Sequence, residues 1–197
     1  MREMDIRLAL RGEMKRRHYA EHDTRIVEEL GLCQGISRVD LAVVNGSIHG
    51  YEIKSERDTL VRLPAQCEIY GRALEYVTIV AAPAHAHKAL RIVPTWWGVL
   101  SPVSYGDIVR LEIEREPRPN PGLVPYALAQ FLWRDEALQV LIDYGLAQGL
   151  RSKPREALWQ CLVSNFTVVE LGQIVRQRLK SRGADWRVAS PPTLDGD

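Results

Sequence analysis

Apolar residues at Ile6, Leu8, Ala9, Leu10 and Met14 recur among charges at helical spacing and predict a helix over residues 5–20. Asp23 is placed to cap a second helix over residues 23–30, with Ile26, Val27 and Leu30 as its buried stripe and Gly31 as its stop. The period then changes. Residues 38–55 read as two apolar strands joined at Asn45-Gly46, a strong short-range hairpin signal. Alternation along a strand puts Glu52 and Lys54 on one face, and Asp40, Ala42 and Val44 likewise on one face. Whether the two sets coincide depends on the turn. A two-residue loop pairs Asp40 with Tyr51 and sends Glu52 to the other side, whereas a three-residue loop, or a bulge at Gly50, sets Asp40 opposite Glu52.

Beyond the hairpin, Pro64 suits the first position of a helix that runs to about residue 75 and carries Gln66 and Tyr70 one turn apart on one face. Residues 76–81 form a short apolar run fit for a buried central strand, and a helix follows Pro83 through residue 93. Trp96-Trp97-Gly98 is expected to seal the sheet edge, and residues 107–114 to add a last strand. Helices alternating with strands in this order predict the α/β class. Residues 115–125 hold Pro117, Pro119, Pro121, Gly122 and Pro125, and read as a stiff linker or as an excursion across the surface. The remainder is helical in pattern: residues 126–146, a helix opened by Pro154 through residue 163, and another opened by the capping box Thr167-Val168-Val169-Glu170. The expected organisation is an α/β domain over residues 1–116, an all-helical C-terminal subdomain over 117–188, and a disordered tail over 189–197.

Composition excludes more than it assigns. The 197 residues are 46% hydrophobic and 26% charged with a net charge of +1, so no global basic field advertises nucleic acid, and any such binding must come from local patches. Cys33, Cys67 and Cys161 are too dispersed for a zinc cluster and fit inert thiols in a reducing cytoplasm. No apolar run approaches the roughly 18 residues of a membrane span, and the first residues, with Arg2, Glu3 and Asp5, lack a signal-peptide pattern. The expectation is a cytoplasmic protein without a membrane partner, its oligomeric state left open.

Candidate chemistry centres on the hairpin. If Asp40 and Glu52 face each other, two carboxylates and Lys54 meet, and like charges on adjacent strands are unfavourable unless a cation sits between them. Hard oxygen donors favour magnesium or manganese, which lower the pKa of bound water, while a lysine can orient or deprotonate that water. Asp40, Glu52-Ile53-Lys54, and Gln66 with Tyr70 as Gln-x-x-x-Tyr together resemble the PD-(D/E)xK nuclease superfamily, especially its RecB-like branch. Residues 23–97 are further similar to a family of uncharacterised bacterial proteins assigned to it, in which Gly-Tyr-Glu-Ile-Lys-Ser and Pro-Trp-Trp-Gly recur. The resemblance implies a restriction-endonuclease-like mixed sheet with flanking helices, and a magnesium- or manganese-dependent nuclease. Asp40, Glu52 and Lys54 would be catalytic, with Asp40, Glu52 and the Ile53 carbonyl as metal ligands. It also implies an acid on the second helix facing the metal. There Glu29 lies at the edge of the buried stripe and Glu28 nearly opposite it, so Glu29 is preferred.

Gln66, Tyr70, Arg57 and Arg62 would meet the substrate, joined by Arg151, Lys153 and Arg155 from a stretch that resembles SAP-type DNA-binding modules. The basic residues Arg176, Arg178, Lys180 and Arg182 add to the charge of this region. The expected partner is nucleic acid, DNA rather than RNA. The alternative is a nuclease-fold nucleic-acid-binding protein with weak or no catalysis. His85 and His87 diverge on a helix and are expected to be exposed rather than to chelate an ion.

Overall fold

A computed structural model describes residues 1–106 and 108–183. The tail expected over 189–197 lies outside the described residues. The chain runs α1 (Glu3–Arg17), β1 (Arg25–Leu32), β2 (Ser37–Val44), β3 (Ile48–Lys54), α2 (Leu63–Ala73), β4 (Tyr76–Ala81), α3 (Pro83–Ile92), β5 (Gly98–Tyr105), β6 (Ile108–Arg115), α4 (Pro125–Ala129), α5 (Arg134–Asp143), α6 (Arg155–Asn165) and α7 (Val168–Ser181). The class is mixed α/β. Six strands form one sheet in sequence order, antiparallel from β1 through β3, parallel from β3 through β5, and antiparallel again at β6. Among the described residues no helix is long and apolar enough to cross a membrane.

The sheet is covered unequally. On one face α1 lays Ile6, Leu10 and Met14 against Leu41, Val43, Tyr51, Ile53, Val80 and Leu100. The other face carries the larger core, where α2, α3 and the four C-terminal helices share one hydrophobic cluster with the sheet. Gly50 lets α2 sit close there: a Cβ at this position would lie 2.6 Å from Leu74 Cδ1. That approach brings the side chains of α2 within reach of β3.

Residues 25–32 form a strand, not the helix expected over 23–30. Val27 and Leu30 do join one core cluster, and their spacing of three imitates a helical stripe. In a regular strand that spacing would point them to opposite faces. Glu29 between them has φ 54°, a left-handed conformation that reverses the alternation. The neighbouring strand breaks step at the same level. Val39 joins the cluster of Ala42 and Val44 instead of that of Leu41, and pairing of Glu28 with Leu41 and of Leu30 with Val39 puts Glu29 across from Asp40.

β5 was not legible because Pro102 interrupts it. The ladder with β4 covers only Gly98, Val99 and Leu100, so the missing N–H falls beyond it. Trp97 does not seal the edge. It is fully buried, and its ring stacks on Tyr70 with centroids 5.8 Å apart and planes 7° from parallel. Pro64 stands one residue inside the start of α2, after Leu63.

The proline-rich stretch resolves as an excursion across the surface. Asn120 Nδ2 donates to the carbonyls of Gly71 and Leu74 at 2.7 and 2.8 Å, which satisfies acceptors at the end of α2. The backbone N–H groups of Asn120 and Val124 donate to the carbonyls of Glu75 and Arg72. The capping box at Thr167 forms as the pattern indicates, with Glu170 reaching back to the Thr167 N–H at 2.8 Å.

Candidate functional site

The turn between β2 and β3 is the three-residue version. Val44 pairs with Ile48 and Leu41 with Tyr51, so Asn45, Gly46 and Ser47 form the loop and Asp40 stands opposite Glu52. Asn45 Oδ1 accepts from the Ser47 N–H at 3.2 Å, a local bond that holds the loop. The ladder itself stops at Leu41. Asp40 Oδ2 accepts from the Ile53 N–H at 2.7 Å, and the Asp40 carbonyl accepts from Arg7 Nη1 at 3.2 Å. A side chain and a helix residue thus take over the groups that regular pairing would use, and the strands part where the two acids stand.

Glu52 and Lys54 share the face turned to α2, and both side chains are only 4% exposed. Lys54 Nζ donates to Glu52 Oε1 at 2.7 Å, and Gln66 Nε2 donates to the same oxygen at 2.6 Å. The Tyr70 hydroxyl lies 2.6 Å from Glu52 Oε2 and 2.7 Å from the Arg38 carbonyl, with a single proton to give. Donation to the ionised carboxylate is the stronger of the two. Burial, and after it the charge of Glu52, pushes the Tyr70 hydroxyl far above its ordinary value, so it serves as a donor. Gln66 and Tyr70 therefore reach the hairpin from one face of α2, and they meet Glu52 rather than Lys54.

Glu29 comes to the site from a strand. Arg7 on α1 donates from Nη2 to Asp40 Oδ1 at 3.0 Å, approaches Glu29 Oε1 at 3.2 Å, and pairs with Glu3 at 2.9 Å. Glu28 turns away to Arg11 at 2.9 Å. Glu3 and Arg7 were missed in the sequence. Their separation of four on a helix was the available signal, but it says nothing of the strand the helix crosses.

The Asp40 carboxyl is pushed up to about 6, by burial first and by the Glu52 charge second, against the pull of the Ile53 N–H and Arg7. The folded protein therefore holds this proton more tightly than the unfolded chain. Its contribution to stability is full below the unfolded value of about 3.9 and is lost as pH rises through about 6. Across that window the metal-free wild type should lose about 2 kcal/mol that Asp40→Asn does not lose. Urea denaturation of both proteins at pH 4 and pH 7 measures the difference, and parallel pH dependences would contradict it.

Among the described residues no group of three or more His, Cys, Asp and Glu is placed to hold a metal ion. Asp40 and Glu52 offer a smaller donor set of hard oxygens. Asp40 Oδ1 and Oδ2 and Glu52 Oε2 each accept one hydrogen bond, which leaves each a lone pair. Magnesium commonly takes one or two carboxylates and completes its shell with water and phosphate, so the chemistry of this set fits it. Ile53 enters the site through its N–H.

Arg57 and Arg62 are exposed on the loop that joins β3 to α2 and form no ion pair among the described residues. Arg151 and Lys153 are exposed before α6. Arg155 is partly committed, donating to Gln34 Oε1 at 2.5 Å and lying over the Trp159 ring at 5.3 Å. Gln34 sits in the β1–β2 turn, at the end of the sheet where β3 finishes. The later basic residues are paired within the fold: Arg176 with Glu75, Arg178 with Asp143, Lys180 with Asp23 and Arg182 with Glu136. His87 is exposed and His85 half-buried. An open cleft of about 710 Å³ lies at the other end of the hairpin, lined by Asn45, His49, Tyr51 and Tyr76, away from the acids.

Residues 1–186 match the family model of bacteriophage P4 protein cII. Protein cII of Enterobacteria phage P4 is 29% identical over 182 residues, which cover 92% of this chain and 68% of that protein. No solved structure matches the chain.

Proposed function

This chain belongs to the family of bacteriophage P4 protein cII, and for it we propose a PD-(D/E)xK nuclease of restriction-endonuclease-like fold that hydrolyses phosphodiester bonds, of DNA in preference to RNA. The observation that carries the reading is the parting of β2 and β3 at Asp40 and Glu52. Two acids beside a broken ladder raise the Asp40 carboxyl and need a side chain and a helix residue to replace strand pairing, an arrangement expected of a site kept for chemistry. The Gln66 and Tyr70 bonds to Glu52 add support, because they hold the carboxylate in one rotamer.

Asp40 and Glu52 would hold a magnesium or manganese ion, which when bound supplies charge for a phosphoryl oxygen and a more acidic water. Lys54 donates to Glu52 on the α2 face and would orient a nucleophilic water beside it. Arg57 and Arg62, exposed on the neighbouring loop, would meet backbone phosphates. Arg151, Lys153 and Arg155 would extend that contact from the C-terminal helices.

A second reading, a nucleic-acid-binding protein of the same fold without catalysis, is favoured by Arg7, which already serves Asp40 and Glu29 as a cation. Labelled single- and double-stranded DNA and RNA, incubated with magnesium, manganese or chelator, separate the two. Metal-dependent cleavage of DNA is the expected result. Binding without cleavage under every condition supports the second reading, and neither binding nor cleavage overturns both.

A further inference from the structure

β6 ends the sheet with no strand on its outer side among the described residues. The opposite end is not comparable, because β1 bends at Glu29 and its Arg25 is bonded to the carbonyls of Lys180 and Arg182. Exposed edges are usually shielded by charged side chains, proline, short length, a bulge or cover, and along most of its length β6 carries only the first, with charges of both signs that a complementary strand can pair. β6 runs eight residues without proline, and its one register shift lies near its far end, between Val99 and Leu100 on β5. Ile108 and Ile113 are 63% and 49% exposed.

The hydrogen-bonding groups on the free edge can be assigned. Leu111 lies opposite Pro102, which has no N–H, so that pair cannot exchange two bonds. The doubly bonded pairs are then Ser101 with Glu112 and Val103 with Arg110. Arg110 and Glu112 turn their backbone groups inward to β5, and Val109, Leu111 and Ile113 turn theirs outward.

We propose that β6 pairs antiparallel with β6 of a second copy of this chain, about a two-fold axis through Leu111. The segment Val109-Arg110-Leu111-Glu112-Ile113 is nearly palindromic in character about that residue. Leu111 meets the partner's Leu111, and Val109 meets the partner's Ile113, in the positions whose N–H and C=O groups are open. Arg110 then faces the partner's Glu112 in the intervening pair, where Cα atoms approach to about 4.5 Å and side chains are closest. Both charges are available for it. Within the chain Arg110 lies over the Tyr105 ring at 5.3 Å, Glu112 accepts from the Tyr105 hydroxyl at 2.8 Å, and neither forms an ion pair among the described residues. The two-fold axis makes each Arg–Glu contact twice, and the pairing covers Ile113 on the side where Leu111 packs beside α1.

Sedimentation velocity on the full chain at micromolar concentration tests this, with circular dichroism to verify folding. Wild type should sediment as a dimer. Arg110→Glu and Glu112→Arg each oppose like charges twice, and each should weaken the dimer about 10–30-fold. Combined in one chain, the two reversals restore opposite charges in the same register and should restore the dimer. A monomeric wild type overturns the proposal. So do single reversals that leave a dimer unchanged, or a double reversal that fails to recover what the single ones lost.

Discussion

Asp40→Asn, Glu52→Gln and Lys54→Ala should each remove most phosphodiester cleavage while the chain stays folded. The first two take charge from the donors of the proposed metal site, so manganese binding measured by calorimetry should fall with activity. Lys54→Ala should separate the two readouts. Its ammonium is the cationic partner of Glu52, not a ligand, so metal binding persists or tightens while the rate drops about 10²–10⁴-fold, the range of one positioned acid–base group. The fold should tolerate Glu52→Gln for a reason visible in the bonds. An amide oxygen can still accept from Lys54 and Gln66, and the Tyr70 hydroxyl can turn its proton to the Arg38 carbonyl and accept from the new amide nitrogen. The cost is the loss of charge beside a lysine that is 4% exposed, about 3–5 kcal/mol before the retained hydrogen bonds are counted. Full cleavage by Glu52→Gln, or by wild type in chelator, would remove the catalytic reading.

Trp97→Ala should lower stability by about 3–5 kcal/mol, a large share of what a domain of this size possesses. The indole is fully buried at the junction of α3 and β5 and supports the Tyr70 ring from below. Its removal leaves a cavity under the residue that holds Glu52, so urea denaturation should register the loss and any nuclease activity should fall with it. Trp97→Phe is the informative contrast. Trp97 Nε1 is buried and has no hydrogen-bond partner among the described residues, so phenylalanine keeps the stacked ring and discards that donor. It should cost less than half of what alanine costs. Equal losses for both substitutions would show that the ring stack carries little of the effect.

Local rules sufficed wherever neighbours in sequence are also neighbours in space. The hairpin, the strand Tyr76–Ala81, the helix carrying Gln66 and Tyr70 and the capping box at Thr167 were legible because turn chemistry, period and capping act within a few residues. The three-residue loop was one of the two turns the sequence left open, and its register runs toward Asp40 opposite Glu52; which partners each acid takes, Arg7 of α1 for Asp40 and Gln66 and Tyr70 of α2 for Glu52, was not legible. Tertiary structure decided the rest. Residues 25–32 carry a spacing that a helix and a kinked strand satisfy equally, and only pairing with β2 selects the strand. Arg7 reaches Asp40 across 33 positions, and Arg176 reaches Glu75 across 101. One draws Glu3 and Glu29 to the site, and the other withdraws an apparently free arginine from solvent. Charge has no period, so a sequence shows how many cations a segment carries but not which acids the fold will bring to them.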